Sequence, residues 1–153
     1  MSLKLIEAVI DVIKAYLETN MAAKLDELDT EYGDFVLADI DKYYVAELSA
    51  IPEYPSILIL GESTRPVTEG AGWMNADHTL TVVALATDQD TERLRRRLYR
   101  YMRAIIELLV AARTSEGYVI NIDGVEFSPL YGRSGTFLSD ARVIIRLRKY
   151  ETS

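Results

Sequence analysis

The stretch HTLTVVALATDQDTERLRRRLYRYMRAIIELLVAAR, residues 78–113, contains a strand pattern followed closely by a helix pattern. Polar and apolar side chains first alternate and then become continuously apolar, which predicts a β-strand over His78–Thr87. Over about Thr91–Arg113 apolar residues recur every three or four positions, which predicts an amphipathic helix. Asp88 or Asp90 can cap the start of that helix. A sheet with a helix packed on it is therefore expected.

Upstream of this stretch, the sequence predicts a long helix, an irregular segment and a first strand. Apolar residues at spacings of three and four predict a helix over about Leu3–Leu28. The segment Thr30–Pro55 has no sustained period, and a short strand is expected within it around KYYVAEL, residues 42–48. The compact apolar run in YPSILILGE predicts a strand over Ser56–Leu60.

The segment between the first two predicted strands, ESTRPVTEGAGWMNAD, has the composition of a loop. It covers Glu62–Asp77 and contains one proline and two glycines among polar residues. A loop of this length is uncommon in a compact domain unless it is functional or disordered. If it makes a hairpin connection, the strands on either side are antiparallel.

Two more strands are expected downstream of the second helix. They lie in YVINIDGVEFSPL, residues 118–130, and GTFLSDARVIIRLRKYE, residues 135–151, and a turn region around Gly132 and Gly135 joins them. The second of them alternates, with one mainly polar face. The element order predicts an α+β fold, with one antiparallel-dominated mixed sheet of about four or more strands and two long helices packed on it.

Composition narrows the class of protein. The 153 residues fit one domain, residues 1–153, and the absence of cysteine excludes disulfides, thiolate metal sites and a cysteine nucleophile. A net charge of −7 argues against general affinity for nucleic acid, whose phosphates repel an acidic protein. No uninterrupted apolar run approaches the roughly 20 residues of a membrane span, so no membrane association is expected.

Residues that could support catalysis are sparse. His78 is the only histidine, and it follows Asp77 at a strand start. Neighbouring aspartates, Asp39 with Asp41 and Asp88 with Asp90, could hold a hard cation, although turn and cap roles are more common for such residues. No phosphate-loop or dinucleotide fingerprint is present. The expectation is a protein without a reaction, cofactor or metal.

The stretch RLRRRLYRYMR, residues 93–103, is dense in arginine. Helix geometry predicts that five of its arginines lie opposite the apolar stripe, on the solvent side: Arg93, Arg96, Arg97, Arg100 and Arg103. A simple solvated face is one interpretation. Because arginine is suited to bidentate contacts with carboxylates, and because the first third of the chain is acidic, contact between subunits is the functional interpretation. Nucleic acid is the disfavoured alternative.

The pattern as a whole resembles the tail terminator, or tail-completion, proteins of long-tailed bacteriophages and related phage-tail-like particles. The resemblance is carried by the N-terminal helix, the YPSILIL and HTLTVVALA strands with the long segment between them, and the helix DTERLRRRLYRYMRAIIELL. The closing strands with VEFSPL and ARVIIRLRKYE complete it. It covers most of the chain from Leu3 to Glu151.

The resemblance implies a virion protein assembled in the host cytoplasm. Such a protein forms a ring, commonly of six copies, that seats on the head-proximal end of the tail tube and ends its polymerisation. Its implied partners are further copies of itself, the tail tube protein and a head-side connector or stopper protein, with the sheath protein as a further candidate. DNA passes through such a ring without sequence-specific binding.

The residues expected at subunit or partner interfaces come from the long loop, the arginine-rich helix and the last turn region. They are Arg65, Trp73, Met74, Arg93, Arg96, Arg97, Arg100, Arg103, Tyr131 and Arg133. Large aromatic and arginine side chains are enriched in protein interfaces. The competing hypothesis is a small ligand-binding or regulatory α+β module, for which Asp77, His78 and Tyr131 are the candidate polar groups.

Overall fold

The structure, a computed structural model, describes residues 6–45, 53–69, 73–115, 118–133 and 135–149. Its elements in chain order are α1 (Ile6–Tyr32), β1 (Lys42–Tyr44), β2 (Ser56–Glu69), β3 (Trp73–Asp88), α2 (Thr91–Ser115), β4 (Tyr118–Phe127), β5 (Tyr131–Arg133) and β6 (Thr136–Lys149). The predicted α+β class is confirmed, since two helices pack on a six-stranded, mostly antiparallel mixed sheet. Neither α1 nor α2 is long and apolar enough to cross a bilayer.

The strands of the sheet are ordered β1-β2-β3-β6-β4. β1 pairs parallel with β2, and every other pair is antiparallel. β5 pairs with the same edge of β6 as β4 does, but with residues nearer the start of β6. β1 therefore forms one edge of the sheet, and β4 with β5 forms the opposite edge.

The two faces of the sheet differ in what covers them. Both helices pack on the face that carries Ile59, Val82 and Val143, and these residues belong to the single buried core. We call this the helix face. The alternate residues form the open face, where Leu60 and Ile144 flank Thr81. Within the described part of the chain, no helix lies on the open face.

The helices form where the apolar periodicity predicts them. α1 ends at Gly33, whose φ of 78° and N–H to the Asp29 carbonyl oxygen close the last turn. Asp90 caps α2, because its Oδ1 accepts the N–H groups of Glu92 and Arg93 at 2.9 and 3.2 Å. The predicted cap is confirmed.

The prediction of a long loop over Glu62–Asp77 is wrong. β2 continues to Glu69 and β3 begins at Trp73, so the described part of the segment lies in the two strands of a long antiparallel hairpin. The pairs between Asp77 and the tip of the hairpin have no third strand beside them within the described residues, since β6 pairs only with Asp77–Asp88 of β3. Such a ribbon is joined by backbone hydrogen bonds and does not need the apolar alternation that marks a strand over a core.

Two shorter strands complete the comparison with the sequence. β1 lies inside the segment where a short strand was expected around residues 42–48. β5 was not predicted, and Gly132 lies in it, paired with Phe137. Gly135, with a φ of 81°, makes the turn between β5 and β6, so the predicted turn is narrower than expected.

Candidate interaction surfaces

Arginines at the start of α2 hold a carboxylate at the end of β3. Arg93 binds Asp88 through Nε and Nη2 at 2.7 and 2.6 Å, and Arg97 Nη1 lies 3.2 Å from the same carboxylate. The Asp88 side chain is only 3% exposed. The hydrogen bond from Arg93, with the Asp90 N–H and the charge of Arg97, lowers the pKa of Asp88 to about 2. These arginines are partnered within their own chain.

Arg100 is the most enclosed arginine of the helix. Its guanidinium donates to both carboxylate oxygens of Asp34, at 2.5 and 2.8 Å, and lies 4.0 Å from the ring centroid of Tyr32. Its side chain is 7% exposed, so the prediction that it lies on the solvent side is wrong. The spacing of residues along a helix does not reveal that another segment of chain covers that face.

The covering segment is residues 33–41, which we call the linker. Arg97 Nε donates to the Val36 carbonyl oxygen at 2.6 Å, and the Leu37 N–H donates to Asp29. The hydroxyl of Tyr101 donates to the Ala38 carbonyl oxygen and accepts the Ala38 N–H. The arginine-rich face of α2 therefore fastens the linker to the helix.

The outer arginines also bind groups of the same chain. Arg96 pairs with Glu92 one turn earlier at 2.8 Å, and Arg103 binds Glu31 at 3.0 Å and the Tyr32 hydroxyl at 2.9 Å. From the sequence, carboxylates of another subunit are expected as the partners of these arginines, whereas the carboxylates shown here belong to the same chain. A subunit-interface role for Arg93, Arg96, Arg97, Arg100 and Arg103 stays a prediction.

The other predicted interface residues fall into two separate groups. Arg65, Trp73 and Met74 lie on the β2–β3 hairpin, where Arg65 is exposed and the backbones of Trp73 and Met74 pair with Glu69 and Thr68. The expectation that Trp73 and Met74 are interface residues concerns side chains outside the described ones.

The second group, Tyr131 and Arg133, lies on β5. Tyr131 is exposed, and the side chain of Arg133 is outside the described ones. Tyr131 pairs with Leu138 of β6, whereas the row of Arg65 and Asp77 meets β6 at Arg148. Ten residues of strand span roughly 33 Å, so the two groups form no common patch.

Sequence reasoning missed a set of exposed apolar side chains spread along the β4 edge of the sheet. Eight large apolar side chains are exposed among the described residues, and five of them lie on β4, on β5 or on the neighbouring flank of α2. We call these five the β4 edge surface: Tyr99, Val110, Val119, Phe127 and Tyr131. The Tyr99 and Phe127 rings meet edge to face with centroids 5.0 Å apart, which joins the helix flank to the strand.

β4 itself is an edge strand, and its first half, which we call the free half, has no feature that discourages the addition of another strand. It pairs only with β6, so within the described chain its second edge has no strand beside it. Tyr118–Ile122 reads YVINI, with no charge and no proline, and a bulge follows between Ile122 and Gly124. Strands of this kind readily accept another strand. The signal in the sequence was this short run of strong strand-forming residues.

At the other end of the sheet, β1 is a short edge strand. Lys42 lies there on the open face, 3.6 Å from Glu53, and Val45 just after the strand is exposed. Past β1, β2 carries the bulge between Gly61 and Ser63, and Pro66 lies further along. A bulge and a proline both discourage strand addition, so β1 is the more accessible part of this edge.

The residues considered for catalysis or ligand binding do not converge. His78 is buried on the helix face with Nδ1 3.0 Å from the Thr64 hydroxyl, whereas Asp77 lies on the open face against Arg148 at 2.6 Å. Tyr131 is roughly 33 Å from both along the sheet. No cluster of acidic or histidine side chains suited to a metal ion occurs among the described residues.

Comparison with known proteins does not assign the chain to a family. No family model matches the sequence. No curated protein matches it significantly either.

Proposed function

We propose that the protein is a structural component of a phage tail or phage-tail-like particle, a tail terminator. In this function, copies of the chain form a ring on the head-proximal end of the tail tube. The ring ends tube polymerisation and offers a docking surface to the head-side connector or stopper protein. The ring is a hexamer, as the resemblance implies.

The observation that carries this proposal is the presence, at opposite ends of one sheet, of two different edges that have no further strand beside them within the described residues. β4, with the apolar β4 edge surface beside it, forms one edge, and β1 forms the other. A head-to-tail ring requires two different surfaces on each copy, one for each neighbour. Isolated apolar residues are common on protein surfaces, but several of them along the edge of an unpaired strand, with Tyr99 and Phe127 in contact, favour an interface there.

The open face of the sheet supports passage of DNA without binding. Three of its arginines lie next to carboxylates: Arg148 is 2.6 Å from Asp77, Arg146 is 2.9 Å from Asp123 and Arg142 is 3.5 Å from Asp140. Paired charges of this kind produce little net potential, and the whole chain carries −7. A phosphate backbone therefore has little to bind on this face.

The proposal places the protein in the virion after assembly in the host cytoplasm. Its partners are copies of itself, the tail tube protein, the connector or stopper and, as a further candidate, the sheath protein. It assigns no reaction and no cofactor. The element order α, β, β, α, β, β on which the resemblance depends is present in the fold, with the short strands β1 and β5 added.

The test uses tail tubes assembled from the tube protein encoded beside this one. The chain is added during tube growth, and tube lengths and ends are measured by electron microscopy. We expect shorter tubes with a ring at one end, and a mass on the tube end of six copies. Tubes of unchanged length without end density would contradict the proposal. Light scattering of the chain alone shows whether the ring forms before it meets the tube.

A further inference from the structure

We propose that β4 of one copy pairs antiparallel with β1 of the next copy, so that the sheet continues from subunit to subunit around the ring. The inference rests on the proposed function and specifies how neighbouring copies meet. It concerns the free edge of β4, for which the described chain provides no strand.

The direction of the strands is compatible with such a seam. β1 and β2 run one way, β3 the other way, β6 the same way as β2, and β4 opposite to β6. In a cyclic ring the copies are related by rotation alone, so all β1 strands have one orientation relative to the ring axis. β4 of one copy therefore meets β1 of the next in the antiparallel sense, which is the more common and slightly more stable pairing.

The charges on the two edge strands favour this partner over a second β4. β4 carries Asp123 and Glu126 and no basic residue, whereas β1 carries Lys42 and no acidic one. If two β4 strands paired around a twofold axis, all the charged residues that they bring together would be acidic, which is unfavourable. Glu126 is exposed and makes no ion pair within the described chain, so it is available to a lysine of a neighbour.

Glu126 and Lys42 lie on the same face of the sheet, as this contact requires. Glu126 pairs with Arg142, and that row continues through Val83 and Leu58 to Tyr44 of β1, so all of these lie on the open face. Lys42 lies two residues from Tyr44 and hence on the same face. A Glu126–Lys42 pair shifts each copy by two residues relative to the last, and closed sheets require such a stagger.

The charges on the outer sides of α1 and α2 are complementary in the same way. Arg95 lies on the flank of α2 that carries Tyr99 and Val110, since the 100° turn per residue puts these positions together. Among the described arginine side chains of α2, it is the one that makes no ion pair. α1 packs over β2, on the half of the sheet next to β1, and exposes Glu7, Asp11 and Asp26. A continuous sheet brings that acidic helix beside the α2 flank of its neighbour.

The experiment uses engineered cysteines, which are free of background because the chain contains none. Paired residues of antiparallel strands have Cα atoms about 4.5–5.5 Å apart, within the range that a disulfide spans. We expect the variant K42C/E126C to form a ladder of disulfide-linked species up to six copies after mild oxidation, seen on a non-reducing gel. The single variants K42C and E126C remain monomeric there. In the control K42C/N121C the second cysteine is several residues away along β4, and no ladder is expected.

A second measurement does not depend on disulfide geometry. Charge reversal by K42E or by E126K weakens self-association roughly fivefold, and the double variant K42E/E126K recovers it, because one exposed ion pair is inverted and restored. Circular dichroism confirms that each variant is folded. Equal association for all three variants would overturn the pairing.

The outcomes separate the seam from the function. If E126C alone forms disulfide-linked dimers and the double variant forms nothing larger, β4 pairs with β4 and the proposal is wrong. If the wild-type protein forms rings on tube ends but K42C/E126C gives no ladder, the seam is wrong and the proposed function stands. If the wild-type protein neither forms rings nor shortens tubes, the proposed function fails, and the seam fails with it.

Discussion

The hydroxyl of Tyr101 forms two hydrogen bonds to the same residue, Ala38. It donates to the Ala38 carbonyl oxygen at 3.0 Å and accepts the Ala38 N–H at 3.2 Å. The ring is fully buried, and this burial raises the pKa of the phenol. One side chain of α2 thereby satisfies both backbone groups of a linker residue that has no strand partner.

Tyr101→Phe removes this hydroxyl and leaves both groups of Ala38 without their partner. We expect the free energy of unfolding to fall by about 1–3 kcal/mol, the usual cost of unsatisfied polar groups in a partly buried place. Urea denaturation measures it. Tyr99→Phe is the matched control, because the Tyr99 side chain is exposed and its hydroxyl makes no hydrogen bond within the described chain. Equal effects of the two substitutions would contradict the assignment.

The ion pair between Arg100 and Asp34 predicts unequal effects of removing its two members. Arg100→Met retains an apolar stem in the enclosed site and leaves a carboxylate that is 40% exposed to water. Asp34→Ala instead leaves an enclosed guanidinium without its carboxylate, which is the more costly result. We expect Asp34→Ala to lower the urea midpoint more than Arg100→Met does. The reverse order would show that Arg100 finds another acceptor.

The lowered pKa of Asp88 predicts that the protein loses stability in acid. Its pKa in the folded protein is about 2, against an ordinary value of 3.8. Because the folded-state pKa is the lower one, the contribution is fully present above about pH 4 and disappears as the pH falls toward 2. It amounts to at most about 2.5 kcal/mol. Unfolding measured from pH 5 to pH 2 should show a smaller drop for Asp88→Asn, and an identical drop would contradict the prediction.

Gly61 is required by the close approach of α1 to β2. A Cβ atom at this position would lie 2.9 Å from Cδ1 of Ile6 and 3.1 Å from Cδ1 of Ile10. Both are ends of flexible side chains, so we expect Gly61→Ala to destabilise the fold by about 1–2 kcal/mol. Gly124→Ala is the control, since a Cβ there meets nothing within 4 Å. Thermal unfolding of the two variants makes the comparison.

Val119 lies on the free half of β4 and is 40% exposed. Val119→Lys places a charge on the edge strand, which discourages pairing with another chain while leaving the helix face intact. We expect weaker self-association and weaker tube capping with unchanged thermal stability. Gln89→Lys, an exposed substitution between β3 and α2, should leave association unchanged. Normal assembly of the Val119 variant would remove the Tyr118–Ile122 half of β4 from the interface and leave the Gly124–Glu126 half as its contact.

The parts of the fold that bury apolar residues could be predicted from the sequence, and the parts that depend on backbone pairing could not. The periodicity of α2 and the alternation in β6 result from packing against one core, so the sequence reflects them directly. The far end of the β2–β3 hairpin lacks a core, and its polar residues with Pro66 therefore resemble a loop. Arg100 was placed on the wrong side because its cover is a linker with no periodicity of its own.

For the candidate site, the types of residue were more predictable than their location. The pairing of arginine with carboxylates followed from the chemistry of the guanidinium group and is present. That these carboxylates include Asp34, in the linker just beyond α1, and Asp88, next to α2, depends on chain reversals that only the assembled fold reveals. The β4 edge surface depends on strand order, and a sequence does not show which strand lies at an edge.

The position of β6 within the sheet has a consequence for synthesis on the ribosome. β6 is the last of the six strands in chain order, yet both β3 and β4 pair with it. Until it emerges, β2 and β3 form a ribbon without a third antiparallel neighbour, β4 has no strand to pair with, and the apolar stripe of α2 lacks one of the strands that bury it. The nascent chain therefore exposes unpaired strand edges until β6 is made, the condition under which chaperones protect growing proteins from aggregation.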